Sequence, residues 1–210
     1  MMRAVMFFLL LALGATDSNA AATQPDPGSV RLASVTNSGS GCASNTVSSV
    51  ISSDRTLISY VFDDFTVFTG PNTRASEWTR NCQLNTTIQK PEGFQFAISN
   101  VTWKGAVRID SGASVVILST WYMGDVSTVK QFTFTPDRRD VRDEYVFQNA
   151  TSLSPEEMAW SRCDGTDSFM SNSRAAMRST SATVTGYIGD GPQLTPRLLQ
   201  LGLKWRECAS

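Results

Sequence analysis

The 210-residue chain contains no histidine, and that single absence removes whole classes of chemistry. Without an imidazole, neither a Ser-His-Asp nor a Cys-His nucleophilic site can be assembled. Histidine-ligated zinc, non-haem iron and copper centres fall away with them, including copper held by a histidine brace. The four cysteines, Cys42, Cys82, Cys163 and Cys208, contain no C-x-x-C spacing, which argues against a cysteine zinc site. Charged residues are also scarce, at 18% of the chain, and they nearly cancel to a net charge of −1. A balance so close to neutral does not suggest the concentrated basic face that nucleic acid binding requires for counterion release. Nothing beyond the first twenty residues approaches the ~18 consecutive apolar residues of a membrane-spanning helix. The polar end, Lys204 to Ser210, lacks the hydrophobic tail of a lipid-anchor signal. No membrane anchor, no nucleic acid partner, no metal and no cofactor are expected.

What is present begins with residues 1–20, which read as a secretory signal peptide. Arg3 precedes an apolar run from Ala4 through Leu13, and small residues around Ala20 to Ala22 suit signal peptidase. Export places the mature chain in an oxidising compartment, so an even number of cysteines is expected to form two disulfides. Of the three pairings, Cys42–Cys82 with Cys163–Cys208 closes the two shortest non-overlapping loops. Each such loop of about forty residues contributes roughly 4 kcal/mol in the chain-entropy treatment. Residues 21–38 contain Pro25, Pro27 and Gly28 among many small polar side chains, and are expected to form a flexible lead. Residues 39–210 then make one domain, long enough to bury roughly 70% of its unfolded surface.

The dominant periodicity is two. Leu199, Leu201, Leu203 and Trp205 alternate with Gln200, Gly202, Lys204 and Arg206, the pattern of a half-buried strand. Shorter alternations occur at Phe94/Phe96/Ile98, Val107/Ile109 and Phe132/Phe134, with an apolar stretch from Val115 to Leu118. Turn residues separate these runs, which predicts an all-β antiparallel sandwich of jelly-roll or immunoglobulin-like type. Between Leu57 and Phe68 the apolar set changes phase, from Ile58, Tyr60 and Phe62 to Phe65 and Val67, with Asp63-Asp64 at the change. A bulge at the two aspartates would keep both halves facing the core, and a fully buried central strand is the alternative. Helix signals are few; Ser154-Pro155-Glu156-Glu157 has capping-box spacing and supports one or two turns, so at most one or two short helices are expected.

Among chemistries that need no histidine, glycoside hydrolysis by a carboxylate pair survives. The candidate acids are Asp63, Asp64, Glu77, Asp110 and Asp125. Turn chemistry accounts equally for Asp63-Asp64 and for Asp110-Ser111-Gly112. The run from Asp137 to Glu144 interleaves arginines with its acids, which disfavours calcium and reads as a self-compensating solvated loop. Of the five tryptophans, Trp205 alternates with leucines and Trp121 ends an apolar run. Trp78, Trp103 and Trp160 lie in more polar settings and are the candidates for a sugar-stacking platform. Sequons at Asn85, Asn100 and Asn149 would be glycosylated only on the surface.

The landmarks also occur in a particular order: Gly39-x-Gly41-Cys42, Ser53-Asp54, Phe62-Asp63-Asp64-Phe65, Thr69-Gly70-Pro71, Asn81-Cys82-Gln83-Leu84, Pro91-x-Gly93-Phe94, Ser161-x-Cys163 and Leu203-x-Trp205-x-x-Cys208. This order resembles a family of small secreted fungal proteins known only as a domain of unknown function. The resemblance runs from about Val35 to Cys208 and implies fungal origin, secretion and four family cysteines, but no activity. Two positions depart from it. Ala43 stands where the family carries proline after the first cysteine, and Ser161-Arg162-Cys163-Asp164-Gly165 replaces a Ser-Pro-Cys-Gly motif. Together these readings predict a non-catalytic binding protein, directed to cell-wall polysaccharide or to a host or competitor surface. A carboxylate-dependent glycan-active enzyme is the alternative.

Overall fold

The computed structural model describes residues 24–134, 145–189 and 197–209. Residues 1–20, expected from the sequence to be a signal peptide, and the charged run 137–144 lie outside them. The alternating segments fold into two antiparallel sheets. The first comprises β1 (Arg31–Ser38), β5 (Thr79–Gln89), β10 (Thr166–Ser179), β7 (Ala113–Met123) and β8 (Val126–Phe134), side by side in that order. The second runs β2 (Val47–Ile51), β3 (Leu57–Phe62), β12 (Arg197–Glu207), β6 (Phe94–Ile109), β11 (Gly186–Gly189) and β4 (Val67–Thr69), with β9 (Tyr145–Ser152) also paired to β6. The chain is thus an all-β sandwich. The described residues contain no α-helix, only 3₁₀ turns at Pro27–Ser29, Ala75–Glu77 and Pro155–Glu157. The last has the capping box read from Ser154, whose N–H donates to Glu157 Oε2 at 2.9 Å.

The pairings show that two strands of the second sheet are each broken in the middle. β12 pairs with β6 up to Lys104 and β11 pairs with it from Ala106, while β9 covers the opposite side. β11 and β12 therefore follow one another along one side of β6. On their far side β3 and β4 follow one another in the same way. Ile58, Tyr60 and Phe62 face inward before the break, and Phe65, Val67 and Thr69 after it. The phase change is the one the sequence predicts, but residues 63–66 leave the ladder altogether instead of forming a single-residue bulge. Arg197, 3% exposed, closes the gap by donating to Thr66 Oγ1 and to the Asp63 carbonyl.

The lead is shorter than residues 21–38. β1 pairs with β5 from Arg31↔Gln89 to Ser38↔Gln83, and Leu32 and Val35 pack against the core. Its polar composition suits an edge strand with one face toward solvent, and composition alone does not separate such a strand from a linker. Gly39 then turns the chain at φ 139°, where a Cβ would lie 2.3 Å from the Asn81 carbonyl oxygen. That close approach places Cys42 against β5, and Cys42 is bonded to Cys82. Cys163, just before β10, is bonded to Cys208, just after β12. Beside this second bond the Lys90 ammonium donates to the carbonyls of Phe94 and Arg162, each at 2.8 Å, and of Asp164. Burial pushes this amine below the usual lysine range, opposed by the carboxylates of Asp167 and Asp164.

At the centre of the core Trp103 stacks on Phe62 and Phe65, with ring centroids 5.6 and 5.4 Å away. Its Nε1–H crosses between sheets to Ser119 Oγ at 2.9 Å, and Ser119 Oγ lies 3.0 Å from Ser173 Oγ. Trp103 is 1% exposed, which removes it as a ligand platform. Its alternation with Val101 and Val107 carries that position, but the polar neighbours Thr102 and Lys104 concealed it.

Trp103→Phe preserves the stacking and removes the inter-sheet donor. It is expected to lower unfolding free energy by about 1–3 kcal/mol in chemical denaturation, since buried hydroxyls lose their partner; no measurable change would contradict a core role. Non-reducing peptide mapping is expected to recover the Cys42–Cys82 and Cys163–Cys208 peptides, and a crossed pair would contradict the placement of both loops.

Candidate functional site

The break in β3–β4 has a consequence on the outer face of the second sheet. Because Val67 and Thr69 point inward, Phe68 between them points out. Phe68 is directly opposite Tyr187 on β11, and Tyr187 is directly opposite Arg108 on β6. Residues opposite one another in a ladder share a face and lie about 5 Å apart, so the three side chains form a row across three strands. The row borders an open depression of about 370 Å³, whose walls also include Thr69, Thr185 and Gly186.

Local sequence fixes how Tyr187 lies. A Cβ built on Gly189 would fall 2.4 Å from the Tyr187 hydroxyl oxygen and 2.6 Å from its Cζ, so the ring lies down over that glycine along the sheet. Gly189 is buried beneath it. At the other end of β11, the Asp110 N–H donates to the Thr185 carbonyl at 3.0 Å. The Asp110 carboxylate in turn accepts the Thr185 N–H at 3.3 Å and the Thr185 hydroxyl. The wall of the depression is thereby tied to the end of β6. A flat aromatic ring, a second ring beside it and an exposed guanidinium can stack on and hydrogen-bond to a planar or ring-shaped ligand.

The candidate acids are distributed over four segments. Asp63 and Asp64 are exposed in the β3–β4 break, where the Asp63 N–H donates to Thr46 O at 2.9 Å. Glu77 caps a 3₁₀ turn by accepting the Arg74 N–H at 2.6 Å. Asp110 is engaged by Thr185, and Asp125 sits in the β7–β8 turn. Among the described residues no group of three or more Asp, Glu or Cys is placed to hold a metal ion. The tryptophans are not assembled either. Trp78, 39% exposed, leads into β5 of the first sheet and donates Nε1–H to Thr73 Oγ1 at 2.8 Å. Trp160 bridges to Ala97, and the Arg206 guanidinium covers its ring at 3.9 Å.

The sequons also separate. Asn85 is exposed on the first sheet, whereas the Asn100 amide lies over Gly202, within 2.5 Å of where a Cβ would stand. Asn149 lies on β9 opposite Trp103, and its side chain is outside the described residues. Phe68, Tyr187 and Arg108 were not singled out by sequence reasoning. The usable signals were the phase change at Asp63-Asp64, which turns Phe68 outward, and the Gly-Tyr-Ile-Gly run at 186–189.

Comparison with known proteins gives a family without an assigned activity. A family model described as "Domain of unknown function (DUF4360)" matches residues 28–208. A protein of Arthroderma benhamiae, described as an uncharacterized secreted protein, is 27% identical over 192 residues, covering 91% of this chain and 77% of the relative. Among solved structures, TmCBM61 in complex with β-1,4-galactotriose aligns at TM-score 0.27 and 8% identity, over 84% of this chain and 90% of that one. The CBM22-1 xylan-binding domain of Paenibacillus barcinonensis Xyn10C aligns at 0.22 and 11%, over 89% and 91%. Cowpea mosaic virus empty particles reach 0.27 and 11%, over 80% and 91%. Alignments this loose say nothing about ligand or activity. The family match spans the sandwich from the first 3₁₀ turn to the last cysteine, and the chain belongs to the DUF4360 family and is secreted.

Proposed function

We propose that this is a non-catalytic extracellular binding protein whose ligand is a polysaccharide, taken on the outer face formed by β4, β11 and β6. The observation that carries the reading is the Tyr187 ring leaning over Gly189, with Phe68 and Arg108 beside it in register. Sugars present C–H faces that stack on such rings, and their hydroxyls pair with a guanidinium. A wall polysaccharide and the surface glycan of a host or competitor offer the same chemistry to this face. The dispersal of the candidate acids supports binding over hydrolysis, which needs two carboxyls roughly 5–10 Å apart on either side of one bond. Trp78 remains a candidate second contact, on the other sheet.

Retention of the purified protein on insoluble chitin, β-1,3-glucan, cellulose and pectin tests the reading. At least one polymer is expected to retain it, and Tyr187→Ala and Phe68→Ala are each expected to weaken retention about tenfold, on the scale of one lost stacking contact. Gly189→Ala displaces the ring without deleting it and is expected to act in the same direction while the protein stays folded. Wild-type-like retention in all three variants would exclude this face, and no retention on any polymer would exclude polysaccharide. We also propose that Asn85 carries N-glycan. Deglycosylation followed by peptide mass analysis is expected to mark Asn85 and leave Asn100 unmodified, because a glycan on Asn100 would lift its amide off Gly202.

A further inference from the structure

Net charge conceals how charge is distributed over this fold. On the outward positions of the second sheet, the strands carry Lys104 and Arg108 on β6 and Lys204 and Arg206 on β12. Among the described residues those outward positions carry no Asp or Glu: β2 offers Ser48 and Val50, β3 offers Leu57, Ser59 and Val61, and β12 offers Leu198 and Gln200 besides its cations. Among the described residues, the carboxylates nearest the aromatic row stand in the sheet's connections. Asp63 and Asp64 stand in the β3–β4 break, and Asp110 is already engaged by Thr185. Arg206 is partly committed, lying over Trp160 and donating Nε–H to Gln95 at 3.0 Å. The two cations nearest the aromatic row are Arg108, within it, and Lys104, roughly 13 Å farther along β6 at about 3.3 Å per residue. Both occupy the same face because four residues separate them in a strand of period two.

Resting on the polysaccharide reading above, we infer that the ligand is an anionic one: a polyuronate chain whose sugar rings stack on Tyr187 and Phe68 and whose carboxylates pair with Arg108 and Lys104. A neutral glycan would use the rings and offer the cations only hydroxyls, which accept their hydrogen bonds without neutralising their charge. A uronate polymer uses both sets of groups at once, since each sugar presents a C–H face and a carboxylate. Arg108 is suited to the task because its planar fork matches a carboxylate bidentately and it stands directly beside an aromatic ring.

Affinity electrophoresis separates the outcomes. The probes are polygalacturonate, the same polymer fully methyl-esterified and therefore neutral, a soluble β-1,3-glucan, and polyglutamate. Polygalacturonate is expected to retard the protein, and esterification to weaken binding at least tenfold. Arg108→Gln is expected to weaken it about tenfold and Lys104→Gln about threefold. Arg174→Gln, on the exposed face of the first sheet, is expected to leave binding unchanged. Binding should also fall as salt rises, because exposed pairs are screened. Equal binding to the esterified polymer, or retention by the glucan alone, overturns the anionic ligand and leaves the polysaccharide reading standing. Polyglutamate binding as tight as polygalacturonate overturns it too, by showing that charge suffices without sugar. Retardation by none of these glycans overturns the anionic ligand, and the polysaccharide reading falls with it when chitin and cellulose also fail to retain the protein.

Discussion

The contact on which the rest of this fold depends is the stack of Trp103 on Phe62 and Phe65. It couples the two sheets directly, since the Trp103 N–H reaches Ser119 on the facing sheet while its ring holds two residues of the β3–β4 path. Phe62 and Phe65 are three apart, a spacing that a continuous strand cannot point to one side. Both are held in the core only because the chain leaves the ladder between them. The two aspartates between the phenylalanines are consequently expelled to solvent, and Arg197 fills the gap they leave by binding the Asp63 carbonyl. The Phe-Asp-Asp-Phe motif is therefore a packing device, with its acids outside because its rings are inside.

That same constraint builds the candidate site. In an unbroken strand continuing the phase of Ile58, Tyr60 and Phe62, position 68 would face the core. The break reverses the phase, brings Val67 and Thr69 inward and turns Phe68 out beside Tyr187. A core contact thus decides which aromatic is offered to solvent on the far side of the sheet. The glycine at 189 completes the arrangement by letting Tyr187 lean across it, which a side chain there would prevent.

Fold class was legible because period-two alternation survives even where strands are broken. Leu199 to Trp205 reads the same in sequence and in space. The joins were less legible. Phe94 to Ile98 and Val107 to Ile109 belong to one sixteen-residue strand, β6, whose phase slips at Ser99, where Gly202 pairs with Asn100 and Leu203 with Ile98. A slip of one residue looks in sequence like the end of one strand and the start of another. Trp103 was misread for a related reason. On a central strand packed on one side only, polar neighbours mark the outer face and say nothing of how deep the inward residue lies. The sequence reading gathered the site's chemistry under tryptophan, the largest ring. The fold instead buries its central tryptophan and places a smaller, half-buried ring on the outer face.

Charge shows the same separation between composition and placement. A net charge of −1 argues correctly against a surface that is basic throughout, yet it averages over two environments that the sandwich keeps apart. Acidic side chains are poor strand formers and accept hydrogen bonds from turn and cap N–H groups, so they collect in connections, as Glu77 and Asp110 do here. Lysine and arginine lay long apolar stems along a pleated sheet and keep their charge in water, so they are tolerated on the strands. In this sandwich the cations of the second sheet's outer face stand on its strands, while the described acids nearest the aromatic row stand in connections. The same face carries the aromatic row, and that coincidence gives the face its chemistry: rings for the flat side of a sugar and fixed positive charge for whatever anion the sugar bears.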